Sequence, residues 1–124
     1  MHDLSALSGL RVLVADDDLL ISMDIEQMLQ EVGCIVIGPV STVVSALGHV
    51  LHGGIDCAVL DFNLHGVSIL PVAEELSRRM VPFVLVTGYA RQDTEPPLLR
   101  DARRIVKPFQ HERLVAALEA SLKA

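Results

Sequence analysis

Val12-Leu13-Val14-Ala15-Asp16-Asp17-Asp18 is a short apolar run that ends abruptly in three carboxylates. The run has the length and composition of a buried strand. Like charges packed this closely repel one another. A strand ending in them is either solvated at a loop or holds a cation with hard oxygen ligands, Mg2+ above all.

Outward from this stretch, short apolar runs alternate with longer segments of helical periodicity, the signature of a parallel sheet covered on both faces. The strands are expected at residues 10–15, 34–38, 55–60, 83–86 and 103–106. Ile21, Ile25, Met28, Leu29 and Val32 recur at helical spacing, and Gly33 follows where a helix can end. A second helix, with Ser41 as its expected cap, runs to about His52 and stops at Gly53 and Gly54. A third is expected over 68–80, ended by Pro82. Leu114, Val115, Leu118 and Leu122 form the stripe of a last helix. The economical architecture is an α/β fold, a doubly wound five-stranded parallel sheet in the flavodoxin-like order 2-1-3-4-5.

A chain of 124 residues has room for one core, so residues 1–124 are expected to form a single domain with its core at about 10–122 and no output domain. No apolar stretch approaches the roughly 18 residues of a membrane span. The start, Met1-His2-Asp3-Leu4, lacks a basic region before an apolar one. These features predict a soluble, cytoplasmic protein with no membrane partner. A net charge of −6, with ten scattered Lys and Arg residues, argues against direct nucleic-acid binding. Cys34 and Cys57 lack metal-ligand spacing and read as small buried hydrophobes.

Doubly wound sheets bind ligands outside the carboxyl ends of their strands, where the strand order reverses. Those ends carry Asp16 to Asp18, Asp61, Thr87 and Lys107. With the first and third strands adjacent, all four strand ends contribute to one polar site. A carboxylate at Asp61 can attack phosphorus if a divalent cation held by Asp16 and Asp17 offsets the charge of the incoming phosphoryl oxygens. Lys107 offers a mobile positive charge, and the Thr87 hydroxyl with the Gly88 amide can donate to a phosphoryl oxygen. The product would be a phosphoaspartate. Each residue alone is also explained as a cap or a solvated loop residue; their joint placement is the stronger signal.

On these residues, from about Leu10 to Leu122, the chain resembles the receiver domains of two-component response regulators. The motifs are Asp16-Asp17, Asp61 within Leu60-Asp61-Phe62-Asn63-Leu64, Thr87, and Lys107-Pro108-Phe109. The resemblance implies that Asp61 accepts the phosphoryl group and that Asp17 is a direct Mg2+ ligand, with Asp16 as its partner. It adds the Asn63 backbone carbonyl as a further ligand and a cis bond before Pro108. It implies a signalling domain with self-catalysed aspartyl phosphorylation and dephosphorylation, not an enzyme. Its partners would be a histidine kinase or phosphotransfer protein and an unknown downstream protein. A subgroup found largely in alphaproteobacteria ends its fourth strand in Phe, a small residue, Thr, Gly and Tyr. Here Val86-Thr87-Gly88-Tyr89 match, and Leu85 stands in the place of Phe. His65-Gly66 replace the Pro-Gly often found after the acceptor, and Arg104 occupies a position where many receivers carry a switching aromatic.

Asp18 reads as a helix cap rather than a third metal ligand. His65 reads as a solvated loop histidine, although its place after Asp61 would let it modulate access to the site. His2, His49, His52 and His111 read as surface residues. Tyr89 is either an ordinary packing residue or a switch that follows Thr87. Pro96 and Pro97 reduce the fourth helix to a short turn over 97–100, preceded by a polar loop over 91–95 that is expected to be mobile.

Three rival readings remain. A haloacid dehalogenase-type phosphatase would use Asp16 and Asp18, but gives Asp61 no role. A flavodoxin-like cofactor binder would need a phosphate-cradling loop where the three Asp residues stand. A receiver-like interaction module that works without phosphorylation would not need the chemical residues that are present here.

Overall fold

The computed structural model describes residues 6–123; the chain start and His2 lie outside them. Strands β1 (Arg11–Ala15), β2 (Ile35–Val40), β3 (Cys57–Asp61), β6 (Phe83–Thr87) and β7 (Arg103–Val106) form one parallel sheet in the order β2-β1-β3-β6-β7. This is the expected 2-1-3-4-5 order, with β4 (Asn63–Leu64) and β5 (Val67–Ser68) forming a separate antiparallel hairpin. Helices α1 (Leu19–Glu31), α2 (Val43–His52), α3 (Leu70–Arg78), α4 (Pro97–Arg100) and α5 (His111–Leu122) follow the five sheet strands in turn.

Strand side chains alternate between two cores, which explains why the strands are apolar throughout. Leu13, Ala15, Leu60 and Leu85 join residues of α2, α3 and α4 on one face. Val12, Val14, Val59 and Val86 join Ile25 and Leu29 of α1 and Leu114 and Leu118 of α5 on the other. Cys34 and Cys57 are buried free thiols, and burial pushes the Cys57 thiol up to about 12. A thiol so hard to ionise is a poor nucleophile and a poor ligand.

Several boundaries shift by one or two residues from expectation, β3 beginning at Cys57 and α3 ending at Arg78 among them, and two shifts have a clear structural cause. The second strand does not stop at Gly38 but continues through Pro39 to Val40, with an irregularity in its pairing to β1. Gly38 has φ +96, and a Cβ there would sit 2.8 Å from the Val40 amide nitrogen, so only glycine fits this kink. The continuation lets the Val40 carbonyl accept from the Asp16 amide at 3.0 Å, which fixes where the acidic run leaves the sheet. The third helix begins at Leu70 rather than residue 68, because residues 63–68 form the hairpin. His65 and Gly66 carry φ of 51 and 80 at its tip, the two positive values of a type I′ turn. The peptide bond before Pro108 is cis, as is that before Pro39.

Asp18 caps α1, accepting from the Ile21 amide at 3.1 Å. The cap of α2 is Thr42 and not Ser41. The extended backbone of Thr42 brings its hydroxyl to the Ser45 amide at 3.1 Å. Thr42→Ala therefore lowers stability by about 1 kcal/mol, whereas Ser41→Ala changes it by less than about 0.5 kcal/mol. Urea unfolding of the two variants separates the two residues.

Candidate functional site

Each site side chain is delivered by the end of a strand or the turn after it. Asp16 and Asp17 follow β1, Asp61 closes β3, Thr87 closes β6 and Lys107 follows β7. β3 is bonded to both β1 and β6, with Leu60 opposite Ala15 and Asp61 opposite Val86, and β6 is bonded to β7 with Thr87 opposite Val106. The sheet order alone thus gathers residues from four strands on one rim.

Asp16, Asp17 and Asp61 each place a carboxylate oxygen within 4.8 Å of the others. The Lys107 ammonium lies 3.2 Å from Asp16 Oδ2 and 3.3 Å from Asp61 Oδ2, an internal counter-ion between the two. Its main chain is fixed by donation from the Lys107 amide to the Thr87 carbonyl at 2.8 Å. Asp16 is buried, and its Oδ1 accepts from the Asp18 amide at 2.8 Å. Its Oδ2 has the Lys107 charge nearby but no hydrogen bond. A buried carboxylate oxygen with unused lone pairs, beside two further carboxylates, matches the all-oxygen preference of a small divalent cation. The donor set therefore fits Mg2+.

Burial, then the neighbouring Asp16 charge, raises the Asp61 carboxyl from 3.8 to about 6; Lys107 opposes this and Asp17 adds to it. Burial acts to lower the Lys107 pKa, but the Asp16 and Asp61 carboxylates together outweigh it and raise the net value. Lys107 is therefore a firm cation. Asp61, by contrast, is a carboxylate held in its charged form only with difficulty, which makes the binding of a cation a relief of charge crowding.

The remaining candidates take distinct places. Thr87 is buried, and its Oγ1 accepts from the Tyr89 amide at 3.3 Å. The Asn63 side chain is exposed at the start of β4. Tyr89 is 67% exposed, so it does not pack under the loop that follows it. Asp18 points away to its capping role, which removes it from the carboxylate cluster. His65 is exposed, but its amide donates to Asp17 Oδ2 at 2.7 Å, tying the hairpin tip to the acidic run. His111, read as a surface residue, is half-exposed and paired through Nε2 with Asp24 at 2.9 Å.

Sequence reading missed the partners of Arg104. Its guanidinium, with the side chain 2% exposed, lies 2.6 Å from Glu95 Oε1 and sits over the Phe62 ring at 5.3 Å from the centroid. Arg91 bonds the carbonyls of Arg100 and Ala102 at 2.9 Å each. The loop expected to be mobile is therefore tied down at both ends. One signal was available: a charged residue within an apolar strand of a doubly covered sheet requires a buried partner.

The model of the response regulator receiver domain family matches residues 12–119. The chain is 30% identical over 124 residues to the transcriptional regulatory protein PdtaR of Mycobacterium tuberculosis, an alignment that takes in 97% of this chain and 60% of that protein. It thus spans about 60% of the length of that relative. The solution structure of SdrG from Sphingomonas melonis Fr1 superimposes with a TM-score of 0.80 at 38% identity, covering 94% of this chain and 98% of that one. The BeF3-activated conformation of SdrG from Pseudomonas melonis Fr1 gives 0.75 at 40% identity, covering 93% and 98%.

The raised Asp61 pKa has a consequence for stability. Between its unfolded value near 3.8 and its folded value near 6, the folded protein binds the additional proton. The stabilisation linked to that proton is present at acid pH and lost as pH rises through about 6. In the presence of a chelator, Asp61→Asn is expected to exceed the wild type in stability at pH 7, on the order of 1 to 3 kcal/mol. The gap narrows as pH falls towards 4, which urea midpoints across this range will read.

Proposed function

The chain belongs to the response regulator receiver family, and we propose that within it Asp61 is the residue that accepts the phosphoryl group. The observation that carries this reading is the position of the Asp61 carboxylate. It clusters with the carboxylates of Asp16 and Asp17, and the Lys107 ammonium lies 3.3 Å from its Oδ2. In the proposed reaction an Asp61 oxygen forms a bond to phosphorus as the bond from phosphorus to a donor histidine nitrogen breaks, and the electron pair leaves with the imidazole. The product is an acyl phosphate, and its hydrolysis returns Asp61 and inorganic phosphate.

Asp16, Asp17 and Asp61, with the Asn63 backbone carbonyl, would hold Mg2+. When bound, the cation offsets the charge that accumulates on the phosphoryl oxygens. Lys107 orients the Asp61 carboxylate before transfer and pairs with the phosphoryl group afterwards. Thr87, buried at the end of β6, donates its hydroxyl to a phosphoryl oxygen. The same oxygen accepts from the Tyr89 amide, so a shift of Thr87 towards the phosphoryl group is passed to Tyr89, the candidate switch.

The donor in this reading is a histidine kinase or a phosphotransfer protein, and the signal leaves the domain through contacts with another protein. The net charge of −6 favours a protein over a nucleic acid as that target. Among the described residues no helix is long and apolar enough to cross a membrane, and the reading is that of a cytoplasmic protein. The haloacid dehalogenase alternative loses support because Asp18, which it needs in the site, caps α1 instead.

Incubation with acetyl phosphate and Mg2+ is expected to add one phosphoryl group to the intact mass, and a chelator is expected to prevent it. Asp61→Asn should abolish the gain; unchanged labelling of that variant refutes the assignment. Asp17→Ala is expected to weaken Mg2+ binding by about tenfold or more in a metal titration. Lys107→Ala should retain Mg2+ binding but lose phosphorylation or the spectral change that accompanies it.

A further inference from the structure

The Arg104 guanidinium forms four hydrogen bonds. Its Nη1 donates to the Tyr89 carbonyl at 3.3 Å and to Glu95 Oε2 at 3.0 Å, and its Nη2 donates to Glu95 Oε1 at 2.6 Å and to the Leu99 carbonyl at 3.3 Å. Its face covers the ring of Phe62, the residue directly after Asp61, in a cation–π contact. One side chain therefore joins the strand end that carries Asp61, both ends of the segment between β6 and α4, and α4 itself. Arg104 Nε is buried with no partner, so the group is held by this forked arrangement and not by solvent.

The segment held in this way forms one side of a cavity of about 260 Å³ lined by Phe62, Asn63, Thr87, Tyr89, Gln92 and Glu95. Phe62 and Asn63 follow Asp61 in the chain, and Thr87 follows the residue opposite Asp61 on β6, so the cavity lies beside the strand end that carries Asp61, which does not itself line it. We infer that Arg104 is a positioning residue that latches residues 89–95 through Glu95 as a fixed wall of this cavity, and so limits access of phosphodonors and water to Asp61. This rests on the reading of Asp61 as the phosphoacceptor. The latch takes the place of an aromatic side chain, and unlike an aromatic it has an obligatory acidic partner. The Arg104 hydrogen bonds also lower the Glu95 pKa, which keeps the pair ionised at neutral pH.

The test compares wild type, Arg104→Met, Glu95→Gln and the double variant in three measurements: amide hydrogen exchange over residues 89–95, the rates of phosphoryl gain from acetyl phosphate and of its loss, and the unfolding midpoint. Arg104→Met keeps the length and bulk of the stem and leaves no buried unpaired charge, so it guards against a folding failure of Glu95→Gln, which leaves the buried guanidinium without its counter-charge. Both single variants are expected to raise exchange in the segment and both phosphoryl rates several-fold. The double variant should add nothing beyond the larger single effect, because both changes release the same latch. Unchanged exchange in both single variants overturns the latch. Raised exchange with unchanged phosphoryl rates, or a lowered unfolding midpoint as the sole effect, overturns its role as a wall of the site. Absence of label in the wild type refutes Asp61 as the acceptor instead, and the exchange measurement then still decides whether the latch holds the segment.

Discussion

Repulsion among three carboxylates on one sheet rim organises this molecule. Asp16, Asp17 and Asp61 approach within 4.8 Å of one another, where two unit charges at an effective dielectric of about 20 repel by a few kcal/mol. One ammonium, that of Lys107, stands against them. Much of the surrounding architecture holds this frustrated group together. The continuation of β2 through Gly38 and Pro39 anchors the Asp16 amide, the Asp18 amide holds Asp16 Oδ1, and the hairpin tip holds Asp17. The Thr87 carbonyl holds the backbone of Lys107. None of these bonds neutralises the cluster; they fix it in place while it remains short of positive charge.

That shortage is the chemical resource of the site. One ammonium against three carboxylates leaves a surplus of two negative charges, the charge a single divalent cation cancels. Protonation of Asp61 would relieve part of the same surplus, and its pKa is raised by burial first and by the neighbouring Asp16 charge second. Cation binding and proton binding therefore oppose each other at this residue, as linkage requires for ligands that prefer opposite charge states of one group. The fold has accepted a local loss of stability for a site that gains from capturing positive charge.

The order of strands and the gathering of Asp16, Asp17, Asp61, Thr87 and Lys107 were legible in the sequence because both follow from pattern. Strands buried on both faces are apolar throughout, and doubly wound sheets collect their strand ends on one rim. Where pattern is silent, reading failed. Ser41 and Thr42 are chemically equivalent as caps, and only the backbone angles at Thr42 select it. The hairpin at residues 63–68 is too short to leave a periodic signal, and its tip pairs His65 with Gly66 where the left-handed conformation is commoner for Asn or Gly. The pairing of Arg104 with Glu95 across nine positions depends on the course of an irregular segment. Charge pattern could say only that Arg104 needed a partner. It could not say which acid would supply it.

The unequal burial of that pair constrains how the protein can change over generations. The Arg104 side chain is 2% exposed, whereas Glu95 is 11% exposed and lies on a surface segment. If Glu95 mutates first, the guanidinium is left buried without its counter-charge, a lesion of the kind that costs about 3 to 5 kcal/mol. If Arg104 mutates first to an apolar or aromatic residue, Glu95 can turn into solvent and the intermediate survives. A lineage can thus exchange this arginine for an aromatic in one order far more readily than in the other. Descendants caught midway should retain an acid at position 95 with no cation beneath it.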